Sequence, residues 1–533
     1  MDYENLNLPE ITPVILVLWG ICIFIAGYFY RHTPLKNRIR FITTFSVIST
    51  LFFFILLYFW YKDRPPFNPI RLAIYPFTTQ EDISKPISWE SLAFSEISIN
   101  YINQANPEKL LPYQLDWIFT AANIDSLALP SYLLDFSKRI KLDYAVLGKI
   151  IKKTPQFLLD FQIFKIENNE TVFSQKLTVK SGEFNNFSGY LSEIILEKVL
   201  GTKNHVDVKN NWKSNAQLKN YFLAKFMLFN ENTELAFKFG ELAVKEDSTS
   251  AICLNLLAEL YMKRGYEVKN KGESPLNDYN RAKTILQKAL LVEKTQSTSL
   301  RLMAELYLMN KKWNQAEDYL RDALIANPMD PRIYFDFTQL YPSRYEDLGF
   351  KNEKDLLIRA IYINPCFFEA RLTLANYYDF KNRQDLVLNE INKVLFINPK
   401  SLDGLMALGK FYITQNDMLN ILQTYEKIIN LEPDHEEAYY NLGIVYYHAK
   451  DYDTAIKYFK KAIQLGDHLD SYLYLAYIYE IKGEIDKAID YLRIRIRKRT
   501  NEEDRFAEEA RKHLFQIMSQ RGAIDSIMSK ISH

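Results

Sequence analysis

Three hydrophobic patterns divide the chain. The first is a pair of unbroken apolar runs, 13–30 (PVILVLWGICIFIAGYFY) and 41–61 (FITTFSVISTLFFFILLYFWY), neither of which carries a charge. Each is close to the ~20 residues a helix needs to cross a bilayer core. Tyr28, Tyr30, Tyr58, Trp60 and Tyr61 end the runs as an interfacial aromatic belt does. The pattern predicts a membrane anchor over 1–62 with two transmembrane helices, and membrane lipid as their partner. The linker between the runs holds Arg31, Lys36, Arg38 and Arg40, and the N-terminal tail holds only acids. Positive-inside then places both termini outside the cytosol, with Lys62, Arg64 and Arg71 pulling the other way. The leader has no Lys or Arg and no A-x-A site follows, which argues against a cleaved signal peptide.

The second pattern alternates. After a stiff spacer (DRPPFN, 63–68), RLAIYPF (71–77) reads as a buried strand and 110–115 as another. The run 142–151 is rich in β-branched and aromatic residues. In 156–166, Phe157, Leu159, Phe161 and Ile163 point one way; Asn168 and Asn169 then turn the chain, and 171–179 returns. Helical spacing covers 88–104, 131–141 and 183–200. The mixture predicts one small α/β domain over 69–200.

The third pattern has a period of 34. Leu442-Gly443-x-x-Tyr446, Leu408-Gly409-x-x-Tyr412 and Leu374-Ala375-x-x-Tyr378 stand 34 residues apart. Met303-Ala304-x-x-Tyr307, Leu257-Ala258-x-x-Tyr261 and Leu475-Ala476-x-x-Tyr479 extend the series. A second set follows each: Ala455, Phe459 and Ala462 match Ile421, Tyr425 and Ile428, then Val387, Ile391 and Val394. Pro328, Pro365, Pro399 and Pro433 close units. A small residue inside the first helix lets a second helix approach; proline ends the second because it cannot continue the hydrogen-bond ladder.

These residues resemble the tetratricopeptide repeat (TPR). Eight units are expected over 212–500, starting near 217, 251, 297, 331, 368, 402, 436 and 469, with a capping helix in 501–533. The segment 265–278 is expected to lengthen a loop, and the fourth unit is stretched between Pro328 and Pro365. The fold class is mainly α: a TPR solenoid preceded by a small α/β domain and two transmembrane helices.

The middle segment resembles the TolB-N-like, FlgO-like and CsgG-like domains of bacteria. The residues that carry this are RLAIYPF, the passage Phe136–Ile150 with Lys141-Leu142-Asp143-Tyr144 and Gly148, and the hairpin after it. The usual earlier glycine of that passage is replaced here by Ile140 or Lys141. The resemblance implies assembly or partner binding in a bacterial envelope, not chemistry. Domains of this type also resemble partners of membrane-bound cyclases, and no cyclase domain is visible in this chain.

Charge and chemistry narrow the reading. Sixty-six Lys and Arg against 65 Asp and Glu leave a formal +1, which argues against a nucleic-acid partner. Gly is 16 of 533 residues, against phosphate loops and for helices. Three cysteines exclude a disulfide scaffold, and without C-x-x-C spacing Cys253 and Cys366 suggest no zinc site. No nucleotide loop, EF-hand or G-x-S-x-G is visible. His435-Glu436-Glu437 opens like a zincin, but Tyr439 stands where the second His belongs. Asn169-Glu170-Thr171 fits a glycosylation acceptor and is read as a turn. No catalytic, cofactor or metal residue is expected, and the chain is not expected to be an enzyme. A polar pocket inside the α/β domain would argue otherwise, and a uniformly apolar interior against.

The resemblance to TPR proteins implies a protein or peptide partner in the groove lined by the first helix of each pair. The register selects Leu372 and Asn376; Met406, Lys410 and Ile413; Tyr440, Ile444 and Tyr447; and Leu473 and Tyr477. Exposed Tyr and Met suit a partner anchor. Tyr221 and Lys225, or Asn255 and Glu259, do not reproduce a chaperone carboxylate clamp. The expected protein is a membrane-anchored TPR scaffold at a bacterial inner membrane, its soluble domains facing the periplasm. The alternatives are a regulatory or sensory subunit of a membrane signalling complex and a cytosol-facing adaptor.

Overall fold

The computed structural model describes residues 69–79, 87–105, 109–122, 129–153, 156–180, 183–201, 212–270, 273–340, 345, 348–500 and 504–531. The two apolar runs, 13–30 and 41–61, lie outside them. Among the described residues no helix is long and apolar enough to cross a membrane. The expected inner-membrane placement facing the periplasm is therefore corrected and not carried further. Several of the described helices bury one apolar side on a neighbour and keep charge on the other. Tyr452–Gly466, for example, buries Ala455, Phe459 and Ala462 and carries Asp453, Lys457, Lys460 and Lys461.

The α/β region is built on β1 (Ile70–Ile74), β2 (Thr78–Thr79), β3 (Leu110–Pro112), β4 (Tyr144–Lys153), β5 (Gln156–Lys165) and β6 (Glu170–Lys180). The sheet order is β3-β1-β4-β5-β6, with β2 beside β4. β1 runs parallel to β3 and β4, and β4, β5 and β6 form an antiparallel meander. Phe157, Leu159, Phe161 and Ile163 all face the core, as a period of two requires. Asn169 turns the β5–β6 hairpin with φ 56°, a conformation asparagine tolerates. Gly148 is needed because a Cβ there would sit 2.9 Å from the Phe77 ring.

Four helices cover this sheet: α1 (Trp89–Ala105), α2 (Leu115–Ala121), α3 (Pro130–Arg139) and α4 (Phe184–Leu200). The stretch 110–115 is a strand only as far as Pro112, and Leu115 opens a helix. The interior is not uniformly apolar. Ser91, Ser95, Ser98, Ser137 and Ser192 are buried, and each gives its hydroxyl to a backbone carbonyl. Such bonds satisfy these five hydroxyls, while the Ser188 Oγ of α4 is buried with no hydrogen-bond partner.

The rest is a mainly helical TPR-type array. The pairs are α5 (Asn215–Phe229) with α6 (Thr233–Glu246), α7 (Ala251–Asn270) with α8 (Leu276–Val292), and α9 (Ser297–Met309) with α10 (Trp313–Ala326). Next come α11 (Pro331–Thr338) with α12 (Glu353–Ile363), α13 (Phe368–Phe380) with α14 (Gln384–Ile397), and α15 (Leu402–Thr414) with α16 (Met418–Leu431). The series ends in α17 (Glu436–His448) with α18 (Tyr452–Gly466), α19 (Leu469–Ile481) with α20 (Ile485–Arg497), and the long α21 (Arg505–Ile531). The segment after Gly265 prolongs α7 as far as Asn270 rather than only widening a loop.

Two local devices repeat along the array. Asn327, Asn364 and Asn398 stand before the closing prolines, and each side chain accepts the N–H two residues on, at 3.0, 2.9 and 3.0 Å. This Asx turn competes with the helix, while the proline withholds a donor. Inside the units, Asn382, Asn416 and Lys450 take positive φ after the first helix and turn the chain back. α21 is held by Arg495, whose guanidinium meets Asp504 at 2.7 Å and Asp470 at 3.2 Å; this holds the Asp504 carboxyl well below the usual carboxylate range.

The α/β region docks on the array, and one apolar core runs from the sheet into Phe222, Leu256, Leu260, Cys366, Val394 and Ile397. Lys225 on α5 meets Glu96 of α1 at 2.7 Å and Asp116 of α2 at 3.3 Å, and Tyr221 donates to Glu96 at 3.2 Å. Burial alone would lower the Lys225 pKa; the two carboxylates override it and hold the value well above normal. Two arginines complete the seat. Arg139 donates to the carbonyl of Ile397 at 2.6 Å, and Arg71 to that of Tyr362 at 3.2 Å. Each cation thereby caps the C-terminal end of a repeat helix, where carbonyls lack partners.

Two outcomes follow for stability. A Cβ at Gly443 would lie 2.6 Å from the Phe459 ring, itself fully buried. Gly443→Leu is expected to destabilise the array by ~1–3 kcal/mol through overpacking, read as a lower urea midpoint. Lys225→Met strands Glu96 and is expected to cost ~3–5 kcal/mol, while adding Glu96→Gln should recover most of that loss in the same titration.

Candidate functional site

The groove positions of the array meet three different surroundings. In the first repeat they are occupied by the protein itself. Tyr221 and Lys225 hold Glu96 of the α/β region, so a carboxylate is captured there from within the chain. The fit uses burial: Lys225 and Glu96 side chains are each 13 % exposed.

In the fourth to sixth repeats the groove is open. A cleft of about 770 Å³ lies between the first helices of these repeats and α2 of the α/β region. That volume falls within the ~300–1,000 Å³ of ligand sites. Leu372 and Asn376 on α13 and Met406 and Lys410 on α15 line it together. Asp116, Trp117 and Thr120 close one side, and Arg332, Glu369 and Asp403 add charge to the lining. Cys366 also borders it; burial pushes its thiol up to about 12, which keeps it neutral. Beneath the cleft Arg371 pairs with Glu390 at 3.1 Å, and both side chains are buried. Ile413 lies farther along α15 and is 42 % exposed.

At the C-terminal end the groove is partly covered. Tyr440 stacks on His468 at 4.1 Å and meets Tyr474, which in turn meets Tyr447 and Tyr477. Burial raises the Tyr440 phenol far above its usual value and lowers His468, so both are neutral. Ile444 packs in the same cluster. Tyr477 donates to Glu509 at 2.6 Å and lies edge-on to His513, so α21 sits over it. The groove reading of Leu473 is corrected: it is buried among Ala476, Ile489, Leu492, Ala510 and Ile517, because α21 packs where the groove would continue.

The structure thus brings together Leu372, Asn376, Met406 and Lys410, and separately Tyr440, Ile444, Tyr447 and Tyr477. Sequence reasoning missed Trp117 and Arg332 in the cleft. It also missed Arg301 and Glu305, although the register that selects Leu372 and Asn376 selects them in the third repeat. Among the described residues no group of His, Cys, Asp and Glu is placed to hold a metal ion. His435 instead caps α17, its Nδ1 accepting the Ala438 N–H at 3.3 Å.

Family-model comparison agrees with the repeat architecture. Residues 276–334 and 436–466 each match a tetratricopeptide repeat family model. No curated protein matches the chain in sequence. Among solved structures, MamA is 22% identical over 29% of this chain and 91% of its own, with a TM-score of 0.26. Yeast Tom70 is 16% identical over 61% of this chain and 69% of its own, with a TM-score of 0.42. Pseudomonas aeruginosa pilF is 15% identical over 43% of this chain and 97% of its own, with a TM-score of 0.32. The chain carries tetratricopeptide repeats, an architecture that implies a protein–protein interaction scaffold.

Proposed function

We propose that the chain is a non-catalytic scaffold that holds an extended segment of a protein partner in the cleft between the fourth to sixth repeats and α2. The observation that supports this most is the contrast along the groove. The first repeat is filled by the chain's own Glu96, and α21 covers the eighth. Repeats five and six instead present Leu372, Asn376, Met406 and Lys410 to an open cleft. Leu372 and Met406 supply apolar, adaptable contact, and Asn376 and Lys410 supply hydrogen bonds to a peptide backbone. The resemblance of 69–200 to TolB-N-like, FlgO-like and CsgG-like domains supports the same reading, because those domains imply partner binding rather than chemistry. Asp116, Trp117 and Thr120 of the α/β region line one wall of the cleft.

The test places a photo-crosslinking residue at Asn376 in the full chain and identifies what it captures. Leu372→Ala with Met406→Ala is expected to abolish that crosslink. The helical circular dichroism signal should be retained, since truncating half-exposed groove residues costs little stability. Equal crosslinking in the double variant would refute the cleft as the binding site.

A further inference from the structure

The floor of the groove in the second to fifth repeats carries an excess of negative charge. Arg301 on α9 lies at its centre, its side chain 8 % exposed. Its guanidinium is shared by Glu305 at 3.1 Å, Asp330 at 3.5 Å and Glu259 at 3.6 Å. Three carboxylates therefore use up one cation. Glu259 keeps 40 % of its side chain open to solvent, so it faces a space rather than a wall. Arg332 is the second cation, and it lies over the Phe367 ring at 5.7 Å.

Among the described residues Asp336 has no cation of its own. It stands one turn after Arg332 on α11 and is nine-tenths buried. Its Oδ2 is buried with no hydrogen-bond partner. It faces Glu305 and Asp330 as well as Arg301 and Arg332; burial and the two acids hold its carboxyl well above the usual range. Glu369, the next acid along the groove, borders the cleft and is raised by burial, with Glu305 and Asp403 adding repulsion against the pull of Arg332. Burial and like charge disfavour the ionised form of these carboxyls, and a cation that donates to them restores it.

We propose that the groove selects a basic peptide, taking a lysine or arginine side chain of the partner against Glu305, Asp336 and Glu369. This rests on the groove reading above and gives that partner its chemistry. Backbone and apolar contacts come from the cleft at Leu372 and Met406, and the cationic side chain reaches along the floor toward α11. The cluster borders the cleft through Arg332 and Glu369, both of which line it.

The test measures binding of three fluorescent twelve-residue peptides to the full chain by anisotropy: one of alternating lysine and alanine, one with glutamate for lysine, and one with glutamine. The lysine peptide is expected to bind at least tenfold more tightly than either other, and more weakly as salt rises. Asp336→Asn should weaken it about tenfold or more without lowering the melting temperature, because the amide keeps the shape of the carboxyl but cannot ionise against a cation. Glu369→Gln is the second variant, for use if Asp336→Asn does not fold. Equal affinity for all three peptides, or no binding of the lysine peptide, overturns the proposal. So does an unchanged lysine preference in both variants. If preference is lost but Leu372→Ala with Met406→Ala still abolishes binding, the cleft stands and only the charge selection falls. If that double variant changes nothing, the cleft reading itself falls.

Discussion

The buried pairing of Lys225 with Glu96, bordered by Asp116, governs how the chain uses its groove. A TPR array is open at each repeat until something fills it. Here the first repeat is filled by α1, because Lys225 meets Glu96 and the Tyr221 hydroxyl in a place water scarcely reaches, with the solvent-exposed Asp116 at its edge. In such a setting the charges are strong and each must be matched. Once α1 is seated, α2 follows it and brings Asp116 and Trp117 to the edge of the groove. Arg71 and Arg139 then reach two helix ends in the fourth and fifth repeats. The α/β region is thus pinned at both ends of its footprint. The cleft between those points is a consequence of the pinning, with one wall from each part of the chain.

Much of the array was legible because its period is carried by size as well as hydropathy. Gly409 and Gly443 must be small, since the rings of Tyr425 and Phe459 on the second helix lie against them, and Ala304 and Ala375 stand buried at the same position. The alternation of Phe157 to Ile163 was legible for a similar reason, as a half-covered strand leaves a period of two. What stayed hidden depends on contacts between residues far apart in the chain. Glu96 and Lys225 are separated by 129 positions, and neither carries a local sign of its partner. Leu473 fits the groove register yet is buried, because α21 folds back over the eighth repeat. A register shows which face a residue occupies; it does not show what covers that face. The membrane reading rested on apolar runs outside the described residues, and the inner-membrane placement built on it does not stand.

Local charge also behaves differently from net charge. The formal +1 of the whole chain suggests an electrostatically bland molecule, yet the groove floor gathers Glu259, Glu305, Asp330, Asp336 and Glu369 around two arginines. A fold selected for stability alone would place an apolar or amide side chain where Asp336 leaves an oxygen buried and unbonded. The Arg371–Glu390 pair shows the contrast within the same region: it is equally buried but closed, each charge meeting the other at 3.1 Å. A closed pair supports the fold. An open carboxyl disfavours its own ionised form, by burial and by the acids beside it, and an arriving cation would restore that form, so the place where the structure departs from local consistency is where a partner's charge belongs.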